Sequence, residues 1–391
     1  MKIRYLAAVA LSMAFLVQPM AQNADALMKL VLENNRELKV AREALQLAVL
    51  EAGTGNTPPD PEVEFGYLFG SPADLGNRVD IEITQQLDFP TVYAHRSKLK
   101  QHKTDRAELQ YVLTRQEVLL EARLLWIEQV YLNQLGMLLE DRLRQARTIQ
   151  SHMKKKLEAG EASMLDLGQS NLMVASLEGE HGELLARAED LRLGIREITG
   201  GTDIEINDTL YPLASSIVAD SLLEAYRVGS YVQYFDQQLL VKEAELDVIK
   251  SLHLPRLAAG YYSESITDVD FRGFRVGVSL PLWEHANTIK TARSEVAVAE
   301  AEIDRFVFQQ EQEVLQKLNR LESYRSRARN LEEALGMVNS QALLATSLEN
   351  GEISMSEYFY TSDIYFRNQA QLLRYKKELR LQEADLLKIF L

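Results

Sequence analysis

The sequence predicts a mainly α-helical protein with a smaller β contribution, built from two copies of one unit. Three observations carry that prediction. The stretch LEAGEASM at residues 157–164 returns as LENGEISM at 348–355, 191 residues later in a chain of 391. Pro90 ends QQLDFP and Pro281 ends GVSLP, again 191 residues apart, so each proline precedes its glycine, Gly160 or Gly351, by 70 residues. Pro61 before EVEFGY and Pro255 before RLAAGY are 194 apart, and the three extra residues fit within the turn GSPADLGN. Landmarks that agree in order and spacing define an internal repeat, and a repeat has to be recognised before single elements are assigned.

Each unit opens on a helix, residues 27–52 and about 231–253. A proline break then leads into two strand-like runs. In 62–69, Val63, Phe65, Tyr67 and Phe69 fall on one face, and from residue 79 onward Val79, Ile81 and Ile83 alternate with Asp80 and Glu82. In the second copy Leu257, Ala259 and Tyr261 alternate, followed by Phe274, Val276, Val278 and Leu280. Period-two alternation gives a strand one apolar face. The turns GSPADLGN and SITDVD close hairpins over strands at about 62–69 with 78–88, and about 256–264 with 271–280.

A very long helix follows each strand pair, 91–158 and 282–349, without proline and with a single glycine in each. At 1.5 Å per residue such a helix spans on the order of 100 Å, far beyond an ordinary globular helix. Leu321, Tyr324, Ala328, Leu331, Leu335 and Val338 step by threes and fours, as a coiled-coil seam does. Leu139, Leu143, Ala146, Ile149, Met153 and Leu157 do so less strictly. The repeated phrase then reverses the chain. Gly160 and Gly351 can take the left-handed conformation that ends a helix. Ser163 and Ser354 can cap the next one, with Asp166 and Glu357 at the spacing of a capping box. Return helices run over 164–198 and 355–388. The first repeat thus occupies 22–198, with its tip at 159–163. The second occupies 230–391, with its tip at 350–354. A linker at 199–229, rich in Gly, Asp, Asn and Pro, contains a short amphipathic piece at 220–227.

Bulk properties narrow the function. A formal charge of −14 argues against a nucleic-acid partner, which needs a basic surface, and against strong attraction to anionic headgroups. The start MKIRYLAAVALSMAFLVQPMAQ has a basic end, a short apolar core and small residues near Ala21. That is the layout of a secretory signal peptide over residues 1–21, too short to span a membrane as a helix. The absence of cysteine leaves no disulfide, no thiolate metal site and no N-terminal lipid attachment. Beyond residue 21 no run is apolar enough for a transmembrane helix, so membrane residence would have to use β-strands.

Two copies of helix, strand pair, long helix, Gly turn and return helix resemble the TolC family of outer-membrane efflux channels. The local marks are the proline closing each strand pair (DFP, SLP) and tip turns of the form L-E-x-G-E-x-S. The resemblance implies a homotrimer. Each protomer would give four strands to a shared twelve-stranded β-barrel and its long helices to a trimeric α-barrel tunnel through the periplasm. The linker and both chain ends would form an equatorial belt. It places the chain in the outer membrane of a Gram-negative bacterium, exported by signal peptide and not as a lipoprotein. Val63, Phe65, Tyr67, Phe69, Val276 and Val278 would face outer-membrane lipid. Glu62, Glu64, Asp80, Glu82 and Arg275 would face a wet lumen. The family's tip turns dock a periplasmic adaptor (membrane fusion) protein linked to an inner-membrane pump, here of the RND type. Carried over, the docking positions are Ala159, Gly160, Glu161, Asn350, Gly351 and Glu352. Glu357 falls where the family's periplasmic aperture can carry acids just past the second tip, Asp166 is its counterpart in the other copy, and rings of acids favour cations. Tyr360 and Gln169 stand where a second acid can occur, which puts a double ring in doubt.

No phosphate loop or catalytic triad is present, so no enzyme activity, cofactor or metal site is expected. His95 and His102, seven apart, read as solvated helix positions, and Met153, Met164 and Met173 as packing residues. The function that follows is the passive exit duct of a tripartite efflux system. A short chain with compact loops points toward the metal-cation branch. The alternatives are a duct for ABC-driven protein or peptide export, a periplasmic coiled-coil adaptor without a pore and, more remotely, a secreted hydrolase.

Overall fold

A computed structural model describes residues 22–72, 76–212, 217–266, 269–336 and 340–391. The signal-peptide reading of residues 1–21 lies outside the described residues, as do parts of both hairpin turns and Val338 of the second seam. In chain order the elements are α1 (Gln22–Asn34), α2 (Arg36–Gly53), β1 (Glu62–Leu68), β2 (Arg78–Leu87), α3 (Pro90–Glu158), α4 (Met164–Ile198), α5 (Ala219–Arg227), α6 (Ser230–Ser251), β3 (Arg256–Ile266), β4 (Val269–Ser279), α7 (Thr288–Gly336), α8 (Ser340–Glu349) and α9 (Met355–Leu386). The chain divides into two compact units. One comprises residues up to Asn35, Leu119–Ser216 and Arg320–Asp385; the other comprises Arg36–Val118, Ile217–Asn319 and Leu386–Leu391.

The first unit is helical. The seam residues of α3 are buried except for half-buried Leu157, and the buried ones pack against three other helices. Leu139, Leu143 and Ala146 cluster with Val174 and Leu177 of α4 and Phe366 of α9. Ile149 and Met153 cluster with Leu348, Met355 and Tyr358. Steps of three and four put one apolar stripe on α3, and a stripe of that width can bury itself between neighbours. On α7, Leu321 and Ala328 are buried, while Tyr324, Leu331 and Leu335 are half-buried. Residues 202–212 of the linker have no helix or strand, and side chains of α3 satisfy part of their backbone. Asn133 Nδ2 donates to the carbonyls of Ile206 and Asp208 at 2.9 Å, and the Tyr211 hydroxyl donates to Ile127 O at 3.0 Å. Trp126 Nε1–H donates to Asp208 Oδ2 at 2.8 Å, and Asn23 of α1 reaches the other oxygen of that carboxylate at 3.1 Å.

The second unit carries the sheet. All neighbours are antiparallel in the order β1-β2-β3-β4, so the two hairpins of the repeats join through β2 and β3. Val92, Val118, Leu222, Tyr226, Val232, Val241 and Ala244 are buried in its helical part. The chain end is tied there by Gln116 Nε2 donating to Ile389 O at 3.1 Å and by the Tyr226 hydroxyl donating to Leu386 O at 3.0 Å.

Two helices differ from the sequence expectation. The helix expected over 27–52 is broken at Asn35, whose amide donates to Ile198 O at 2.8 Å instead of facing water. The helix expected from 282 begins at Thr288. Residues 282–287 form a turn in which Asn287 has φ +66°, a left-handed conformation that asparagine tolerates better than most residues. The backbone N–H and hydroxyl of Thr288 both donate to His285 O, at 3.2 and 2.9 Å.

Candidate functional site

Two surfaces carry the residues singled out above: the faces of the sheet, and the two helical tips.

Register sorts the sheet into two chemically distinct faces, because cross-strand partners share a face. Val63 pairs with Ile83, Phe65 with Ile81 and Tyr67 with Val79. Ile83 pairs with Tyr261 and Leu87 with Leu257. Tyr261 pairs with Phe274, Ala259 with Val276 and Leu257 with Val278. These residues form one apolar face, interrupted on β2 by Gln85 opposite Ala259, and it is exposed: Phe65 by 70%, Phe274 by 88% and Val276 by 83%. Phe69 lies just past the end of β1 and meets Tyr67 edge-on, with ring centroids 5.1 Å apart. The apolar run slants across the sheet. Its limit nearest the helices is Val63 on β1, in the row of Ile83; on β3 it is Leu257, in the row of Leu87; on β4 it is Leu280, two residues past Val278. A drift of about two residues per strand, at about 3.3 Å per residue and 4.8 Å between strands, is a slope of roughly 50°. Transmembrane barrel strands tilt by about 35–45°, so a band drawn level with a membrane crosses them at a similar angle.

The opposite face holds ions. Arg78 bridges Asp80 at 2.8 Å and Glu264 at 3.2 Å, and donates to the Tyr262 hydroxyl at 3.0 Å. Arg275 pairs with Glu82 at 3.0 Å and stacks 3.7 Å over the Tyr262 ring. Glu64 stands directly opposite Glu82 in the register, a like-charge pair that the Arg275 guanidinium offsets. The outer edges of β1 and β4 have no strand partner among the described residues.

The tips repeat in atomic detail. Gly160 and Gly351 have φ of +76° and +75°. Each glycine and the glutamate after it donate the two bonds of a Schellman ending. Gly160 N donates to Leu157 O and Glu161 N to Lys156 O, at 3.0 and 2.8 Å; Gly351 N donates to Leu348 O and Glu352 N to Ser347 O, at 3.2 and 2.8 Å. Both capping boxes are closed. Asp166 N donates to Ser163 Oγ at 3.2 Å, while Asp166 Oδ2 accepts from Ser163 N at 3.0 Å and Oγ at 2.6 Å. Glu357 N donates to Ser354 Oγ at 3.2 Å, while Glu357 Oε2 accepts from Ser354 N at 2.8 Å and Oγ at 2.9 Å. The Ser163 hydroxyl and backbone N–H hold the Asp166 carboxyl below its ordinary value; the Ser354 backbone N–H and hydroxyl do the same for Glu357. Ala159, Gly160, Glu161, Asn350, Gly351 and Glu352 are all exposed.

The two tips nevertheless present different surfaces. Met355 is 5% exposed, covered by Ile149, Met153, Leu348 and Tyr358. Its counterpart Met164 is 73% exposed, and Leu165 beside it 71%. Behind the tips the Arg142 guanidinium is buried, 4.1 Å over the Phe366 ring and 2.8 Å from Asp363. Burial alone would raise the Asp363 carboxyl, but hydrogen bonds from Arg142 and Arg367 hold it below its ordinary value. The sequence reading missed this cluster and the difference between the tips, because both depend on which distant helix covers each residue. Among the described residues no helix is long and apolar enough to cross a membrane, and no group of three or more His, Cys, Asp or Glu side chains could hold a metal ion.

No protein-family model and no curated protein matches the sequence. Solved structures do match, along nearly the whole chain. The outer membrane protein VceC from Vibrio cholerae superposes with a TM-score of 0.74 at 13% identity, over 95% of this chain and 97% of that one. The outer-membrane channel CmeC of Campylobacter jejuni gives 0.72 at 15% identity, over 94% and 85%. CusC, described in terms of transmembrane channel formation, gives 0.70 at 14% identity, over 94% and 92%. The chain therefore has the fold of these outer-membrane channels: mainly helical, with four antiparallel strands.

Proposed function

We propose that the protein is an outer-membrane duct, through which three copies passively conduct substrate delivered by an inner-membrane pump and a periplasmic adaptor. The observation that carries the reading is the sheet: an exposed, slanted apolar face backed by an ionic face, with both edges open. An open edge cannot stand in lipid, because its N–H and C=O groups find no water there. Pairing β4 of one copy with β1 of the next removes every edge, and three copies close twelve strands. The apolar face then meets lipid, and Arg78, Asp80, Glu82 and Arg275 line a wet lumen.

The tips fit the adaptor-docking role. Their backbone is fixed by the Schellman endings and capping boxes, so Glu161 and Glu352 project from rigid turns. Exposed Met164 and Leu165 add an apolar contact on the first tip that the second lacks. Asp166 and Glu357 already serve as caps; their depressed carboxyls stay charged near neutrality, which suits them equally to an acidic periplasmic aperture. For the substrate we favour metal cations, on the short chain and its compact loops. The test is fractionation followed by sedimentation in detergent. The expected result is outer-membrane residence as a three-copy assembly; a soluble monomer overturns the reading.

A further inference from the structure

The two copies part company at one place, just after the second strand pair. In the first copy Pro90 opens α3 directly, and Val92 is 1% exposed. In the second, Pro281 is followed by a turn, and α7 waits until Thr288. Duplication alone predicts a helix there. The turn instead presents Leu282 and Trp283 at 67% and 83% exposure. It is a built structure: Leu282 N donates to Leu280 O at 3.0 Å, Ala286 N to Trp283 O at 3.3 Å, and Asn287 takes its left-handed conformation before α7 starts.

What surrounds the turn says what it meets. Phe274, Val276, Val278 and Leu280 run toward it as one exposed apolar line, and the exposed Leu282 and Trp283 follow close after its last member in the chain. Ions begin at the same end. Arg256, the first residue of β3, pairs with Glu284 at 2.8 Å and approaches Asp88 at 3.9 Å, and Asp88 pairs with Arg96 at 2.9 Å. An indole has a large apolar body and one N–H donor. A side chain of that kind, set between an apolar band and a row of charges, suits the boundary between acyl chains and headgroups.

We propose that the turn after β4 is an interfacial membrane anchor, with Leu282 in the acyl region and Trp283 at the headgroup boundary of the helix-side leaflet. The inference rests on the outer-membrane reading above. The first copy has no equivalent, so each chain supplies one anchor, carried by the edge strand that must meet the next copy.

The sequence contains two tryptophans, which makes the test direct. Trp126 is 4% exposed and donates to Asp208, so lipid reaches Trp283 alone. The full-length protein is reconstituted into phosphatidylcholine vesicles carrying bromines either close to the headgroup or close to the chain ends. The difference between wild type and Trp283→Phe isolates the Trp283 emission. Shallow bromines should quench about half of it or more, and deep bromines clearly less. Emission untouched by either lipid overturns the anchor, meaning that water or a second copy covers Trp283. Phe274→Trp in the Trp283→Phe background separates the two readings, because residue 274 sits within the apolar band. If that tryptophan is quenched by the deep bromines and Trp283 is not, the anchor falls and the duct stands. If neither is quenched, or the protein does not enter vesicles, both fall.

Discussion

Val276→Arg places a guanidinium in the apolar run of β4, between Phe274 and Val278. Val276 is 83% exposed and its side chain meets little of its own chain. In water such a change is worth no more than about 0.5 kcal/mol, as for most exposed positions. In a bilayer an arginine at the midplane of a barrel's lipid face costs about 2–4 kcal/mol. Three copies around one barrel, far enough apart to add, raise this to about 6–12 kcal/mol per assembly. The same exposure therefore predicts a neutral change or a severe one, depending only on what faces the residue. The assay is urea-dependent folding into phosphatidylcholine vesicles, followed by the gel shift between folded and unfolded barrel. Glu64→Gln on the ionic face is the control and should remain within about 0.5 kcal/mol of wild type. Wild-type folding of Val276→Arg, or equal losses in both variants, would refute the assignment of the faces.

Other predictions concern the tips. Gly351 has φ +75° and open space around it, so Gly351→Ala is strained by backbone alone and should cost about 1–2 kcal/mol. Gly168, inside α4 and equally open, should gain about 0.5–1 kcal/mol as alanine, so the two variants should shift thermal unfolding in opposite directions. Asp166 and Glu357 have folded values below their unfolded ones, so their capping contribution is present above the unfolded values and lost as pH falls through the folded ones. Amide-exchange protection in the first turns of α4 and α9 should therefore hold from neutrality to about pH 5 and fade below about pH 4. Glu357→Gln should reduce cation preference, read as the reversal potential across a salt gradient; an unchanged potential would leave Glu357 as a cap alone.

Much of this was legible in the sequence, where the chemistry is local. Gly160 and Ser163 with Asp166, and Gly351 and Ser354 with Glu357, each write a helix stop and a helix start within seven residues, and the hydrogen bonds close as the spacing implies. The strand faces were legible because the pleat has period two, and Val63, Phe65 and Tyr67 do share a face with Ile81, Val276 and Val278. What was hidden depends on distant neighbours. Met164 and Met355 occupy the same position in the same phrase, yet only the second is covered, because α3 and α8 supply its lid. The pairing of β2 with β3 joins residues far apart in the chain, and no local pattern encodes it. Repeat logic itself misled at residues 282–287, where the first copy's helix start was carried onto a turn that the second copy folds differently.

The central claim is that three copies of this chain enclose a continuous aqueous path. Conductance of the purified protein in a planar bilayer tests it most directly. The expected result is discrete current steps after insertion, with cations preferred over anions. A protein that inserts without conducting, or that leaves the bilayer unaltered at any concentration, contradicts it.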